Sequence, residues 1–595
     1  MVFQNNLLAG ASGVSGTTTF DTTLIGNSVW LDGSADDLDR STTSHSSTEM
    51  VVACWFQLNK IDTGSYGILT IGTGSSGSNQ AGVYLSGSAL QLYCNGYAAV
   101  TSTLFRDIGW YHLLASFKLD ESIATNKGRL FINGEEVTSF SSDGRSSYGT
   151  SFNSTATQYV GSISTGNFFN GYIAQPIMLD GQSIQGGDVA ITDFVDTFTF
   201  GTNGSQVIPK KNSDIAALAS TAGGNSFCLD FADSSGTDAV NLGNDISSNN
   251  KDLTPHSMAA ANQSVHTPSK VYPIFNPLAQ NSTGVTLTEG NTKVSRSSSS
   301  FGMVAASIGM STGKWYCEVT VNDVTNIGLG IVEGHVLGTA NRYIGQDSNG
   351  FSYDSGGNKV TAGGYASYGD SFTNSDVIGI IFDADDGKLY FSKNGTIQNS
   401  GNTANGTGFA FENLTNGPYF FAAGAESVST ANAWNFGQSS FANTPPSGFQ
   451  SLNSSTLTAP DYQGIDYFDA TIYEGNGIGQ RVGDFVPFTD VGTISQSVAF
   501  NLADSDKLTI ASSVSTTPTN VQKKTISVWL KPWKVGENFI MVGVNGSDSE
   551  RIYSNSTGQI QYLTIGSGSS TAHVMTTGAF LNDPSQWVHV VVALD

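Results

Sequence analysis

The chain has 595 residues, enough for several domains at about 100–200 residues each. Asp and Glu outnumber Lys and Arg by 49 to 25, and the net charge of −24 repels nucleic acid and anionic membrane surfaces at long range. Only 12% of residues are charged, so Ser, Thr, Asn and the 69 glycines carry the polar surface; scarce helix formers favour strands and turns. No stretch approaches the ~20 apolar residues of a membrane span, and Met1–Gly10 lacks the basic region of a secretory signal.

Residues 1–20, rich in Gly, Ser and Thr, read as an extended arm. From 21 to 185 short apolar runs alternate with turn residues, as in Val52-Ala53-Cys54-Trp55-Phe56 and Trp110-Tyr111-His112-Leu113-Leu114-Ala115. Asn133-Gly134, between Leu130-Phe131-Ile132 and Glu135-Glu136-Val137, predicts a two-residue hairpin because both turn positions favour φ > 0. Phe169-Asn170-Gly171-Tyr172-Ile173-Ala174 resumes the strand pattern. Residues 186–270 read as a connector whose runs 191–200 and 227–231 complete the first sandwich, with 233–269 as surface loop.

A different block spans 271–440. Lys314-Trp315-Tyr316-Cys317-Glu318-Val319-Thr320-Val321 is a period-2 strand. Gly328-Leu329-Gly330-Ile331-Val332, Val377-Ile378-Gly379-Ile380-Ile381-Phe382-Asp383, Leu389-Tyr390-Phe391 before Asn394-Gly395, Tyr419-Phe420-Phe421 and Trp434-Asn435-Phe436-Gly437 follow. Residues 441–490 read as a linker. Residues 491–595 then repeat the first design: Ser497-Val498-Ala499-Phe500 echoes Ser28-Val29-Trp30-Leu31, Ile526-Ser527-Val528-Trp529-Leu530 echoes 52–56, and Trp587-Val588-His589 echoes Trp110-Tyr111-His112. Self-similarity of this kind marks a modular array. This copy lacks counterparts of 130–134 and 169–174, which predicts further chain after Asp595 to close the sheet edge.

The fold class expected from these patterns is all-β, a tandem of antiparallel β-sandwiches. The four cysteines, Cys54, Cys94, Cys228 and Cys317, are far apart on strand-like flanks and read as buried thiols. His112 and His589 occupy one repeated position, which a fold requirement explains without catalysis. Ser311-Thr312-Gly313-Lys314 has the S-x-x-K spacing of acyl-enzymes but leads into a strand. Asp383-Ala384-Asp385-Asp386-Gly387 starts like a calcium loop yet lacks its closing Glu, so a tight turn is expected. Asp32, Asp36 and Asp37 form the acidic cluster best placed for calcium, the one candidate metal; no other cofactor is expected. Tyr353, Tyr365 and Tyr368, among glycines and serines, are the candidate ligand-binding aromatics.

The runs 52–56, 110–115, 130–134 and 169–174 resemble the laminin-G-like, concanavalin-type jelly roll, and the 314–437 series resembles the SPRY sandwich. Taken with the arm 1–16, the segment 169–181 and the passage from 227–233 onward, the whole resembles virion appendage, tail fibre-like, proteins of tailed bacteriophages. That resemblance implies a non-enzymatic virion protein, made without a signal peptide, that attaches to a host surface glycan or protein. It implies virion partners bound through the arm, a homo-oligomer, and no nucleic acid or membrane insertion. A purely structural role in capsid decoration or as a tail adaptor, and a polysaccharide-degrading enzyme, stay open as alternatives.

Overall fold

The computed structural model describes residues 21–456, apart from 22, 43, 47, 74–79, 106, 153–154, 164–165, 201–203, 234, 283, 298–300, 326, 334–341 and 426–428. Beyond these it describes 470–473, 479–482, 524–531, 539–544, 549–555, 558–565, 572–580 and 588–594. The arm 1–20, the run 497–500 and Trp587 lie outside the described residues.

The chain is all-β, built of antiparallel sandwiches. The first sandwich has two eight-stranded sheets. One runs Glu135–Glu136, Gly128–Ile132, Trp110–Lys118, Glu49–Leu58, Asn170–Asp180, Ser28–Asp32, Gln263–Ser264, with Phe227–Cys228 added on Asn170–Asp180. The other runs Phe140–Asp143, Tyr97–Leu104, Ala89–Cys94, Gln80–Ser86, Ser65–Gly72, Thr157–Val160, Asp37–Ser41, Thr254–His256. Asn133 (φ 49) and Gly134 (φ 82) make the expected hairpin turn.

Within Glu49–Leu58 every residue after Glu49 is buried, because both faces of its sheet are covered. Side chains alternate across a strand. Val52, Cys54 and Phe56 therefore enter the core between the sheets with Leu113, Ala115 and Phe117. Val51 and Ala53 point the other way, with Leu114 and Leu179, and are covered by helix α1 (Asn212–Thr221) through Ile215, Ala216 and Ala219. The next outward stripe, Trp55, Trp110, Tyr172 and Ala174, packs on Val195 and on Val271 and Ile274, the lead-in to the second sandwich.

The segment 186–270 differs from its expected reading. Residues 233–269 are surface loop only in part: 235–240 and 257–261 are largely exposed, but Thr254–His256 pairs with Asp37–Ser41, Gln263–Ser264 pairs with Ser28–Asp32, and His266, Thr267 and Ser269 are buried. Polar residues occupy this interior because each finds a partner. The Ser28 hydroxyl donates to the His266 carbonyl (2.7 Å), Thr267 donates to the Ile25 carbonyl (2.9 Å), and the Ile25 N–H donates to Ser269 (3.1 Å).

His266 forms the junction. The Tyr272 N–H donates to its Nδ1 (3.1 Å), which leaves Nε2 as the donor to Gln57 Oε1 (2.5 Å). Its ring lies 4.9 Å from that of Tyr172 and 5.7 Å from that of Trp110, and burial lowers its pKa from 6.5 to about 3. Tyr172 donates to the Gly290 carbonyl (2.6 Å) and Asn291 donates to that of Asn59 (2.7 Å), so side chains of both sandwiches cross the seam. Gly290 has φ +64, and a Cβ there would fall 2.0 Å from the Tyr172 hydroxyl, so only glycine allows this approach.

The second sandwich packs a seven-stranded sheet on an eight-stranded one. The first runs Phe275–Gln280, Gly302–Met310, Tyr419–Ala425, Ile327–Glu333, Gly350–Asp354, Asn358–Thr361, Gly364–Ser367. Trp315, Cys317 and Val319 of Lys314–Thr320 share its core with Ile380, Phe382, Leu329 and Phe421. Part of the expected linker belongs here: Gln450–Ser451 pairs parallel with Lys314–Thr320, and the Glu318 carboxylate accepts from the Ala442 N–H (2.7 Å). All four cysteines are buried free thiols.

The third set of strands repeats the first in register. Trp529 stands opposite His589 as Trp55 stands opposite His112, with rings 4.6 Å and 5.2 Å apart. Phe539–Val544, Ser549–Ser554, Gln559–Ile565 and Ala572–Phe580 pair in sequence, as Ser65–Gly72, Gln80–Ser86, Ala89–Cys94 and Tyr97–Leu104 do.

Two outcomes follow for stability. Replacing His266 by Leu strands Gln57 Oε1 and the Tyr272 N–H, and should cost about 2–4 kcal/mol in denaturant unfolding. His112 is also held neutral by burial, to about 3 against 6.5. The unfolded chain takes up that proton near pH 6.5 while the folded chain does not, so this contribution is complete above 6.5 and shrinks as pH falls toward 3. His112→Phe should flatten the stability profile over that window, by up to roughly 1.4 kcal/mol per pH unit. An unchanged slope would remove His112 from the account.

Candidate binding surface

The three expected tyrosines separate. Tyr353 lies in Gly350–Asp354 and is 0% exposed, its ring stacked on Phe391 at 5.2 Å and its hydroxyl donating to the Asp370 carbonyl. Tyr368 is also buried, 5.8 Å from Tyr353, and donates to the Gly408 carbonyl (3.3 Å). Both are core residues and cannot meet a ligand, because the pleat turns Tyr353 inward beside Leu329, its cross-strand partner. Tyr365 is 59% exposed on the edge strand Gly364–Ser367.

Tyr365 is not alone on that surface. Its ring lies 6.4 Å from Tyr343, and Tyr343 lies 4.8 Å from Phe301. Phe301 and Tyr343 are half-buried, so the three rings form a rooted aromatic platform. Sequence reasoning missed Phe301 and Tyr343, and no local signal could have joined them to Tyr365. They meet only because the loop 342–349 folds across the hairpin of Asn358–Thr361 and Gly364–Ser367.

Backbone hydrogen bonds fix that loop. The Ala362 N–H donates to the Asp347 carbonyl (2.8 Å) and the Gly363 N–H to that of Gly345 (2.9 Å). Ser352 donates to the Ile344 carbonyl (2.9 Å), and Asn281 donates to that of Arg342 (3.0 Å). Gly345 has φ +92 and sits where a Cβ would be 2.4 Å from the Val360 carbonyl oxygen. Beside the rings, the Arg342 guanidinium donates to the Asp347 carboxylate (2.7 Å), and Gln346 and Ser348 are exposed. The platform is therefore a run of mutually tilted aromatic rings, at 48° and 36° to one another, on a loop whose Arg342 and Asp347 charges pair.

The acidic cluster does not converge. Asp32 accepts from the Ser34 N–H (2.7 Å) and hydroxyl, Asp36 from the Asp32 N–H (3.2 Å) and Asn262 (3.0 Å), and Asp37 from the Ser162 hydroxyl (2.5 Å). Three carboxylates serving separate local partners make a poor calcium cage. Among the described residues no group of three or more His, Cys, Asp or Glu is arranged to hold a metal ion. Burial first, and then the Asp32 charge, raise the Asp36 pKa from 3.8 to about 6. The S-x-x-K and acidic-turn motifs are two turns brought side by side at the ends of the paired strands Lys314–Thr320 and Val377–Asp383: Lys314 pairs with Asp383, and the Gly313 N–H donates to Asp385 (2.7 Å).

A carboxyl whose folded pKa is raised favours the fold while protonated, and that contribution is lost as pH rises from about 4 through 6. Asp36→Asn should therefore gain melting temperature relative to the parent between pH 4 and pH 7, and millimolar calcium should leave both unshifted. A calcium-dependent rise that Asp36→Asn abolishes would reinstate the ion.

Comparison with known proteins follows the division into sandwiches. Residues 12–180 match the concanavalin A-like lectin/glucanases superfamily, and residues 314–438 match the SPRY domain. An ATP-dependent RNA helicase, DDX1 of Xenopus laevis, is 31% identical over 156 residues, 26% of this chain but only 18% of the helicase. The SPRY domain of human HERC1 is similar at 18% identity and TM-score 0.23, covering 27% of this chain and 96% of that one. A heptameric SAP-like pentraxin of Limulus polyphemus is similar at 10% identity and TM-score 0.21, covering 26% and 76%. The chain thus carries a concanavalin-like sandwich followed by a SPRY domain, two domain types that are typically binding modules without catalysis.

Proposed function

We propose that this chain is a virion appendage of a tailed bacteriophage, of the tail-fibre kind, that attaches the particle to its host by surface binding. The observation that carries the reading is the rooted platform of Phe301, Tyr343 and Tyr365, held on a body of two sandwiches sharing a buried seam. A rigid support suits attachment, because little ordering cost is added when a ligand arrives. The repeated module adds a further surface, and several weak sites on one particle gain avidity through effective concentration.

In this reading residues 1–20 dock to other virion proteins, and the sandwiches meet a host glycan or protein. A symmetric homo-oligomer would multiply the sites. The strongly acidic charge fits an outward-facing protein and disfavours nucleic-acid partners.

Purified full-length chain added to host cells before challenge should reduce phage adsorption in proportion to dose. Gold label on the chain's N-terminus should appear where the appendage joins the particle. Undiminished adsorption at saturating protein would defeat the attachment role and leave a purely structural one.

A further inference from the structure

We infer that the Phe301–Tyr343–Tyr365 platform is a binding site for a neutral pyranose sugar of a surface polysaccharide. This rests on the attachment reading and specifies its ligand. The site has three features that together select the ligand class.

The first is a run of aromatic rings at successive spacings of 4.8 and 6.4 Å, with Tyr365 59% exposed at its outer end. A hexopyranose presents a flat face of C–H bonds of about that size. An aromatic face is apolar and electron-rich, so it covers such C–H bonds while leaving the equatorial hydroxyls free to turn outward. The second is a rim of planar polar groups next to the rings. Arg342 and Asp347 are joined at 2.7 Å, the other Asp347 oxygen accepts from the Asn349 N–H (3.0 Å), and Gln346 and Ser348 are exposed. Hydroxyl groups, which both donate and accept, match such mixed edges.

The third is charge. Arg342 and Asp347 pair with each other and Glu333 stands within range of the Asp347 charge, so the rim holds no surplus positive charge to attract an anionic ligand. The chain at −24 would repel an acidic polysaccharide. Of acidic and neutral sugars, the neutral class is the one this charge admits. The rim is also fixed before any ligand arrives. The hydrogen bonds of Ala362 and Gly363 to the carbonyls of Asp347 and Gly345 hold it against the turn that leads into Tyr365.

The test uses full-length protein, with maltohexaose, cellohexaose and isomaltohexaose as neutral probes, an oligogalacturonate as the acidic probe and an unstructured peptide as the polypeptide probe. Saturation-transfer NMR and titration calorimetry should show binding of at least one neutral hexaose. Tyr365→Ala should weaken it about tenfold or more, and Tyr365→Phe should retain it, since the ring and not the hydroxyl makes the stacking face. Tyr365 is exposed, so an unchanged melting curve will show that both variants fold. Binding of none of the neutral probes, preference for the acidic or peptide probe, or unchanged affinity in Tyr365→Ala would each overturn the inference. If the chain still blocks adsorption while Tyr365→Ala blocks it equally well, the sugar site falls and attachment stands.

Discussion

The architecture depends on one constraint, the sheet through Glu49–Leu58 that is apolar on both faces. Val52, Cys54 and Phe56 fill the interior of the first sandwich, while Val51, Ala53 and Trp55 form a second apolar surface on its outside. An exposed face of that size would drive association, so it has to be covered. Helix α1 covers one part, and the lead-in to the second sandwich covers the other. The first sandwich is therefore a foundation, with its Trp55–Trp110 face spent on holding its neighbour.

That arrangement explains where binding chemistry can sit. The junction is built from a neutral histidine, a glutamine and a tyrosine whose polar atoms are matched across the seam, which fixes direction as well as contact. Surfaces near the seam are consumed by it. The seven-stranded sheet meets the seam at its Phe275–Gln280 edge; its opposite edge, Gly364–Ser367, carries the aromatic platform. The third set of strands repeats the Trp–His pairing, yet Ser527 and His589 are exposed where Ala53 and His112 are buried.

Much of the fold was legible because strand pairing writes itself into alternation. The Asn133-Gly134 turn, the Lys314–Thr320 strand and the register of the repeat all follow from period-2 patterns and from residues that accept positive φ. The polar segment 233–269 was not legible. Its serines, threonines and asparagines look like solvent-facing loop, and only partners distant in sequence, such as Ile25 for Thr267 and Gln57 for His266, make their burial favourable. The candidate tyrosines failed for a related reason. Glycine-rich surroundings suggested loops, but Tyr353 sits in a strand, and the pleat sends it to the core.

By itself the sequence determined the class of fold, the modular repeat, the acidic surface and the buried thiols, since these rest on composition and on spacings within single strands. Tertiary structure alone decided which aromatic residues face solvent, that three aspartates turn to separate local partners, and that Phe301 and Tyr343 join Tyr365. Those outcomes depend on hydrogen bonds and packing between segments far apart in the chain. Local periodicity carries no record of such contacts, because their energy exists only once distant backbone has been brought together.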